Sequence, residues 1–229
     1  MVITWYGKNC FKLQSGELVV VTDPFVPLRG ISGSEKKETK IQPFRGRADI
    51  IIKTLVQTSS IARQEAPDKS DAFEISYPGE YEIKNVTVKG WSCLPAGGLA
   101  DESTQKANDK EQAANLRSVY LVEMDDFKIV LLGHLTDENE IKNALEYLED
   151  ADIVFIPAGG KPFIEALAAA KLIRQLKPGL IIPTLFDDSR DLKSFLKEFG
   201  KNDAEPQEKL TITKKELSKE KLIIGCLKT

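Results

Sequence analysis

Histidine is all but absent from this chain: its 229 residues contain one, His134. A transition-metal centre needs about three or four nitrogen, sulfur or carboxylate ligands, so a histidine-built metal site is excluded by inventory. Cysteine is scarce as well. Cys10, Cys93 and Cys226 are odd in number and widely spaced, which gives neither a disulfide framework nor a CxxC knuckle and points to a reducing compartment. An excess of one charge is missing too. The 32 Lys and Arg nearly balance 35 Asp and Glu, a net of -3, which leaves no field to gather nucleic acid or coat an anionic membrane. No run approaches the roughly 20 apolar residues of a membrane span. The opening MVITWYGKNCFKL lacks the basic start and the about 7 to 15 apolar residues of a signal peptide. These absences lead us to expect a soluble cytoplasmic protein with no cofactor and no nucleic-acid or membrane partner.

What the chain does have is apolar material for a core. A hydrophobic content of 41% over 229 residues suits one domain spanning 1–229, in halves of about 1–116 and 117–229. Residues 1–5, 10–13 and 18–22 alternate in β-formers, punctuated by Gly7 and Ser15-Gly16, and predict a meander ending at Asp23-Pro24. The run Ile50-Ile51-Ile52 reads as a strand buried on both faces. It delivers residues 54–60, Thr-Leu-Val-Gln-Thr-Ser-Ser, to a sheet edge as a loop without histidine, cysteine or carboxylate. Residues 61–69 have weak helical character, 73–75 lead into the turn at Pro78-Gly79, and 82–90 reads as one strand. The polar stretch 95–115 reads as a solvated loop, with a lid or an oligomer contact as alternatives.

The second half alternates strands and helices. Residues 119–123 and 128–132 predict a hairpin through Asp125-Asp126. Thr136 is placed to cap a helix whose apolar positions are Ile141, Leu145 and Leu148. Residues 153–157 and 180–183 are strands, 163–176 a helix stopped by Lys177-Pro178-Gly179, and 191–199 a shorter helix ending at Gly200. Segments 209–213 and 221–227 supply the last strands. Pattern alone gives α/β or α+β.

The segments TWYGKNCFKL, VVTDPF, ADIIIKT, SYPGEYEI, IVLLGHL, ADIVFIPAGG and LIIPTL together resemble the metallo-β-lactamase superfamily, in its branch of small bacterial and archaeal hydrolases that includes ascorbate-phosphate lactonase-like proteins. The resemblance covers nearly the whole chain. It implies an αββα sandwich, with two mixed β-sheets inside and helices outside. It also implies a ligand loop of the form Ser/Thr-His-x-His-x-Asp-His. Aligned on ADIIIKT, the four ligand positions fall on Leu55, Gln57, Ser59 and Ser60. The remaining ligand positions fall on Lys8 after YG, near Pro95, on His134 in Gly-His-Leu, and on Leu185 after IIPT. Among these eight positions only His134 carries a side chain suited to a transition metal, and it stands where the resemblance implies a metal-bridging aspartate.

The expectation is therefore a degenerate, metal-free member of the fold, without hydrolase activity, that binds a protein or a small molecule or forms a homo-oligomer. One rival is an enzyme of changed chemistry that uses His134 as a base, with Lys8 or Gln57, or as a pair with Cys10 or Cys93. Another is a residual metallohydrolase completed by a second subunit. Asp23, Gly79, Glu80 and Gly159-Gly160 read as turn and strand-end residues. Asp187 and Asp188 read as helix caps, and with Glu80 and Glu82 they are candidates for a weak Mg or Ca site.

Overall fold

Period-two alternation builds the first sheet. The computed structural model describes residues 1–24, 44–57, 71–93, 115–186, 188–218 and 220–229, with the backbone alone at Gln57 and Asn115. Its first strands are β1 Val2–Gly7, β2 Cys10–Ser15, β3 Leu18–Thr22 and β4 Ile50–Ile52. Then come β5 Leu55–Gln57, β6 Phe73–Ile75, β7 Gly79–Ile83 and β8 Val86–Ser92. The second half adds β9 Asn115–Met124, β10 Phe127–Leu131, β11 Ile153–Pro157, β12 Leu180–Thr184, β13 Lys209–Thr211 and β14 Ile223–Ile224. One sheet has six strands in the order β13-β1-β2-β3-β4-β6; the other has eight, β14-β12-β11-β10-β9-β8-β7, with β5 paired to β9. Both sheets are mixed: β3, β4 and β6 run parallel, as do β10, β11, β12 and β14.

The faces follow the alternation. Ile50 and Ile52 enter the core between the sheets with Phe11, Leu13, Ile129, Phe155 and Ile182. Ile51 points outward to Cys10, Val21, Phe44 and Ala48. On the second sheet Val130, Val154 and Ile181 face out and are covered by Leu172, Ile173, Leu176 and Phe195. These come from α2 Ala166–Leu176 and α3 Ser189–Lys197, which follow the one-turn α1 Leu145–Leu148. Apolar residues at 169, 172, 173 and 176 form the single stripe a surface helix needs.

Several element boundaries differ from the sequence reading, each for a local reason. Residues 55–57 are a strand, β5, and not loop, because their backbone finds a partner in β9, with Leu55 opposite Arg117. Residues 82–90 are the arms of a hairpin, folded at Lys84 and Asn85 with φ of 50° and 64°. Asn tolerates this left-handed region better than most residues. Asp137 rather than Thr136 caps the next turn, and that turn is the 3-10 segment Glu138–Ile141. The α2 helix starts at Ala166 because the backbone before it is held elsewhere: Phe163 N donates to Gly160 O at 2.8 Å and Ile164 N to Leu135 O at 3.0 Å. Asp188 caps α3 by accepting from Arg190 N and Asp191 N, so this helix starts earlier than the apolar pattern suggests. The expectations for 61–69, for 95–114 and for Asp187 lie outside the described residues.

Candidate functional site

Parallel strands bring their carboxyl ends to one edge, and there the two sheets meet. Asp23 follows β3, Thr54 follows β4, His134 follows β10 and Leu185 follows β12; Asn9 sits in the turn between β1 and β2. The backbone at this edge is unusual: Lys8, Asp23, Gly133 and Leu185 have φ of 52°, 36°, 52° and 52°. Left-handed non-glycine residues carry a conformational cost that surrounding contacts must over-determine. Those contacts are present. Lys8 O accepts Trp5 Nε1 at 3.0 Å and Leu185 N at 3.3 Å. Asp23 N donates to Ile52 O at 2.9 Å.

The Asp23 carboxylate is the hub. Its Oδ1 accepts Thr54 N at 2.7 Å, and its Oδ2 accepts Thr54 Oγ1 at 2.6 Å and also Asn9 Nδ2. Thr54 Oγ1 in turn stands 3.2 Å from Asn9 Nδ2 and 2.9 Å from His134 Nδ1. Thr54 O accepts Ser118 N at 2.9 Å. Every polar atom of Thr54 is thus engaged, and its residue is fully buried. Gly133 is required beside it: a Cβ there would lie 2.3 Å from Thr54 Cβ.

Behind His134 lies an ion pair between a half-buried arginine and a buried glutamate. Arg117 meets Glu140 with two parallel bonds of 2.8 and 2.9 Å, and its NH1 also donates to His134 O and Thr136 Oγ1. Glu140 Oε2 accepts Thr136 N at 3.2 Å. The Thr136 side chain therefore serves the Arg117 cluster. An open cavity of about 720 Å³ flanks it, lined by residues 136–138, 161–165 and Ala168; the Phe163 ring in that lining is 6.0 Å from the His134 ring.

Burial pushes the His134 pKa below its usual value, Asp23 opposes the shift and Arg117 reinforces it. The lowered value favours the neutral imidazole. The pH consequence follows from linkage: below the unfolded value of about 6.5 the unfolded chain binds a proton that the folded chain resists. Stability must fall as pH drops through that value, with a ceiling of about 1.4 kcal/mol per pH unit for one proton. Urea unfolding of wild type and His134→Asn between neutral pH and roughly pH 5 should show a steeper loss in the wild type. Parallel slopes would contradict it. Asp49, held down at about 2, chiefly by its hydrogen bond to Lys84, contributes its loss only at lower pH.

No assembled nucleophile and base accompany this geometry among the described residues. Thr54 is sealed from solvent. Burial first and Glu140 second push the Cys93 thiol up to about 12, which leaves almost no thiolate, and His134 Nδ1 meets Thr54, not Cys10 or Cys93. The weak oxygen site does not assemble from its described members either, Asp187 lying outside the described residues. Glu80 is on the edge strand β7, near Lys89, while Asp188 caps α3 beyond β12 and pairs with Arg190 at 2.6 Å; these strands lie far apart in the sheet order. No group of three or more His, Cys, Asp and Glu side chains converges among the described residues. A zinc-type centre does not fit the donors there, since Asp23 and His134 are two ligand-type side chains turned to Thr54 and Asn9.

Of the eight positions singled out from the sequence, the structure places Lys8, His134 and Leu185 at this edge, with Leu55 directly after Thr54 and Gln57 at the end of β5. Ser59, Ser60 and Pro95 lie outside the described residues. Sequence reasoning makes Asp23 a turn residue and misses Asn9, Arg117 and Glu140. The available signal is a carboxylate immediately after a buried, mostly apolar strand, as at Asp23 after LVVVT.

A family model described as the beta-lactamase superfamily domain matches residues 2–185. The chain belongs to this superfamily. A UPF0173 metal-dependent hydrolase of Thermoplasma acidophilum is 23% identical to it over 193 residues, 79% of this chain and 81% of that protein. Superfamily members of known structure share the fold. A Thermotoga maritima protein assigned to the zinc-dependent hydrolases of the metallo-β-lactamase superfamily superposes with a TM-score of 0.68 at 20% identity, over 99% of each chain. An isothiocyanate hydrolase from Delia radicum gut bacteria gives 0.65 at 12% identity, over 93% of this chain and 99% of that one. Among the described residues no helix is long and apolar enough to cross a membrane.

Proposed function

We propose that this chain is a metal-free member of the superfamily that has lost metallohydrolase chemistry and serves as a binding or oligomer-forming protein, its partner a protein or a small molecule. One observation carries the reading: at the strand-end edge the Asp23 carboxylate is filled by Thr54 and Asn9 and His134 is turned to Thr54. The relatives are named for metal-dependent hydrolysis, and this chain has one histidine with which to build such a centre. Neutral and apolar side chains at former charge sites are compatible with a stable fold, because removing a buried charge cluster is often neutral or stabilising.

The test has two arms. A ligand bound only to the native state raises its stability by mass action, so thermal melting with and without EDTA should coincide; a fall of several degrees would reveal a structural ion. A screen of phosphate esters, lactones and thioesters should be blank. Turnover that His134→Asn removes by about 100-fold or more, with folding intact, would replace this reading with an enzyme of changed chemistry.

A further inference from the structure

The hydrogens of the strand-end cluster can be counted. Thr54 Oγ1 has one hydrogen and two lone pairs. It lies 2.6 Å from Asp23 Oδ2, a separation two oxygens reach only with a hydrogen between them, and that carboxylate oxygen is already the acceptor for Asn9 Nδ2. The hydroxyl hydrogen therefore points to Asp23. Both lone pairs of Thr54 Oγ1 remain, one for Asn9 Nδ2 at 3.2 Å and one for His134 Nδ1 at 2.9 Å. A lone pair is satisfied only by a nitrogen that brings a hydrogen, so Nδ1 must be the protonated nitrogen of the neutral ring.

We infer that Thr54 is a positioning residue that fixes His134 as the Nδ1–H tautomer, leaving Nε2 as the hydrogen-bond acceptor of the site. Three anchors hold Thr54 in this role. Its N–H and hydroxyl both bind Asp23, and its carbonyl accepts Ser118 N. The chain Asp23, Thr54, His134 joins the first sheet to the second through side chains. A ligand that hydrogen-bonds to Nε2 must bring the hydrogen itself, as a hydroxyl, an amide N–H or an ammonium group does; a carboxylate cannot. The inference rests on the metal-free reading, because a metal on Nδ1 would displace Thr54.

The test is direct because the chain has a single histidine. With any affinity tag removed, a long-range nitrogen-15 correlation spectrum of the labelled protein contains one imidazole. Near neutral pH the wild type should show a protonated-type Nδ1 and an unprotonated Nε2. Thr54→Ser should keep that pattern, and Thr54→Val should return the ring to the Nε2–H form that imidazole favours in water. An Nε2–H ring or a mixture of forms in the wild type overturns the inference, as does an Nδ1–H ring that survives Thr54→Val. If the valine variant does not fold, the wild-type and serine spectra still decide. A metal-bound nitrogen signal that EDTA abolishes would sink the metal-free reading itself, whereas an Nε2–H ring unchanged by EDTA sinks this inference alone.

Discussion

Gly133→Ala should destabilise the protein by about 2 to 5 kcal/mol, combining roughly 1 to 2 for a side chain in the left-handed region with about 1 to 3 for overpacking. The overpacking comes from one contact: the new Cβ would lie 2.3 Å from Thr54 Cβ and 2.4 Å from its Oγ1. Thr54 has no room to retreat, since its N–H, hydroxyl and carbonyl are all held. Gly160 supplies the control. Its φ is 65° but a methyl placed there would meet nothing within 4 Å, so Gly160→Ala should cost only about 1 kcal/mol. Urea unfolding of the two variants checks the difference. Equal costs would mean that Thr54 is not packed against the Gly133 turn.

Glu140→Ala should cost about 2 to 4 kcal/mol, somewhat less than the about 3 to 5 of a fully buried ion pair, because the Arg117 side chain left behind is 25% exposed. Glu140 is 1% exposed. Its loss strands the Arg117 guanidinium, the Thr136 N–H and the Thr136 hydroxyl, all of which bond to its carboxylate. Replacing both partners, with Arg117→Met and Glu140→Leu, should recover much of that loss, because no unpaired charge then remains buried. A single-variant cost below about 1 kcal/mol would mean that the pair behaves as a surface bridge. Because Arg117 also donates to His134 O at 3.3 Å, the single variant should disturb the His134 backbone as well.

The strands are legible in the sequence because the central ones are short unbroken apolar runs buried on both faces and others alternate with a period of two. Ile50, Ile51 and Ile52 are buried on both faces as the run implies, and the Asp125-Asp126 hairpin follows from two apolar runs with a two-residue turn. Helix starts are less legible. Apolar spacing marks the buried stripe, but caps and competing backbone bonds set the first residue, as at Asp188 and at Phe163. β5 is hidden because a three-residue strand has too little pattern to separate it from loop.

The site divides in the same way. ADIIIKT and IIPT point to the strand-end edge, where Thr54 and Leu185 follow β4 and β12. The hydrogen-bonded cluster cannot be read that way, because it is made by proximity: Thr54 and Asn9 are 45 residues apart in sequence, and Thr54 and His134 are 80. Neither pair has a spacing motif. Only the fold brings the ends of β3, β4 and β10 together, and only then does Asp23 become a hub rather than the first residue of a turn.

The most direct measurement is the zinc content of purified protein dialysed first against micromolar zinc and then against metal-free buffer. A strand-end edge filled by Asp23, Asn9, Thr54 and His134 predicts well under one retained ion per chain. One or two ions per chain, retained through the second dialysis and lost on Asp23→Asn or His134→Asn, would contradict it.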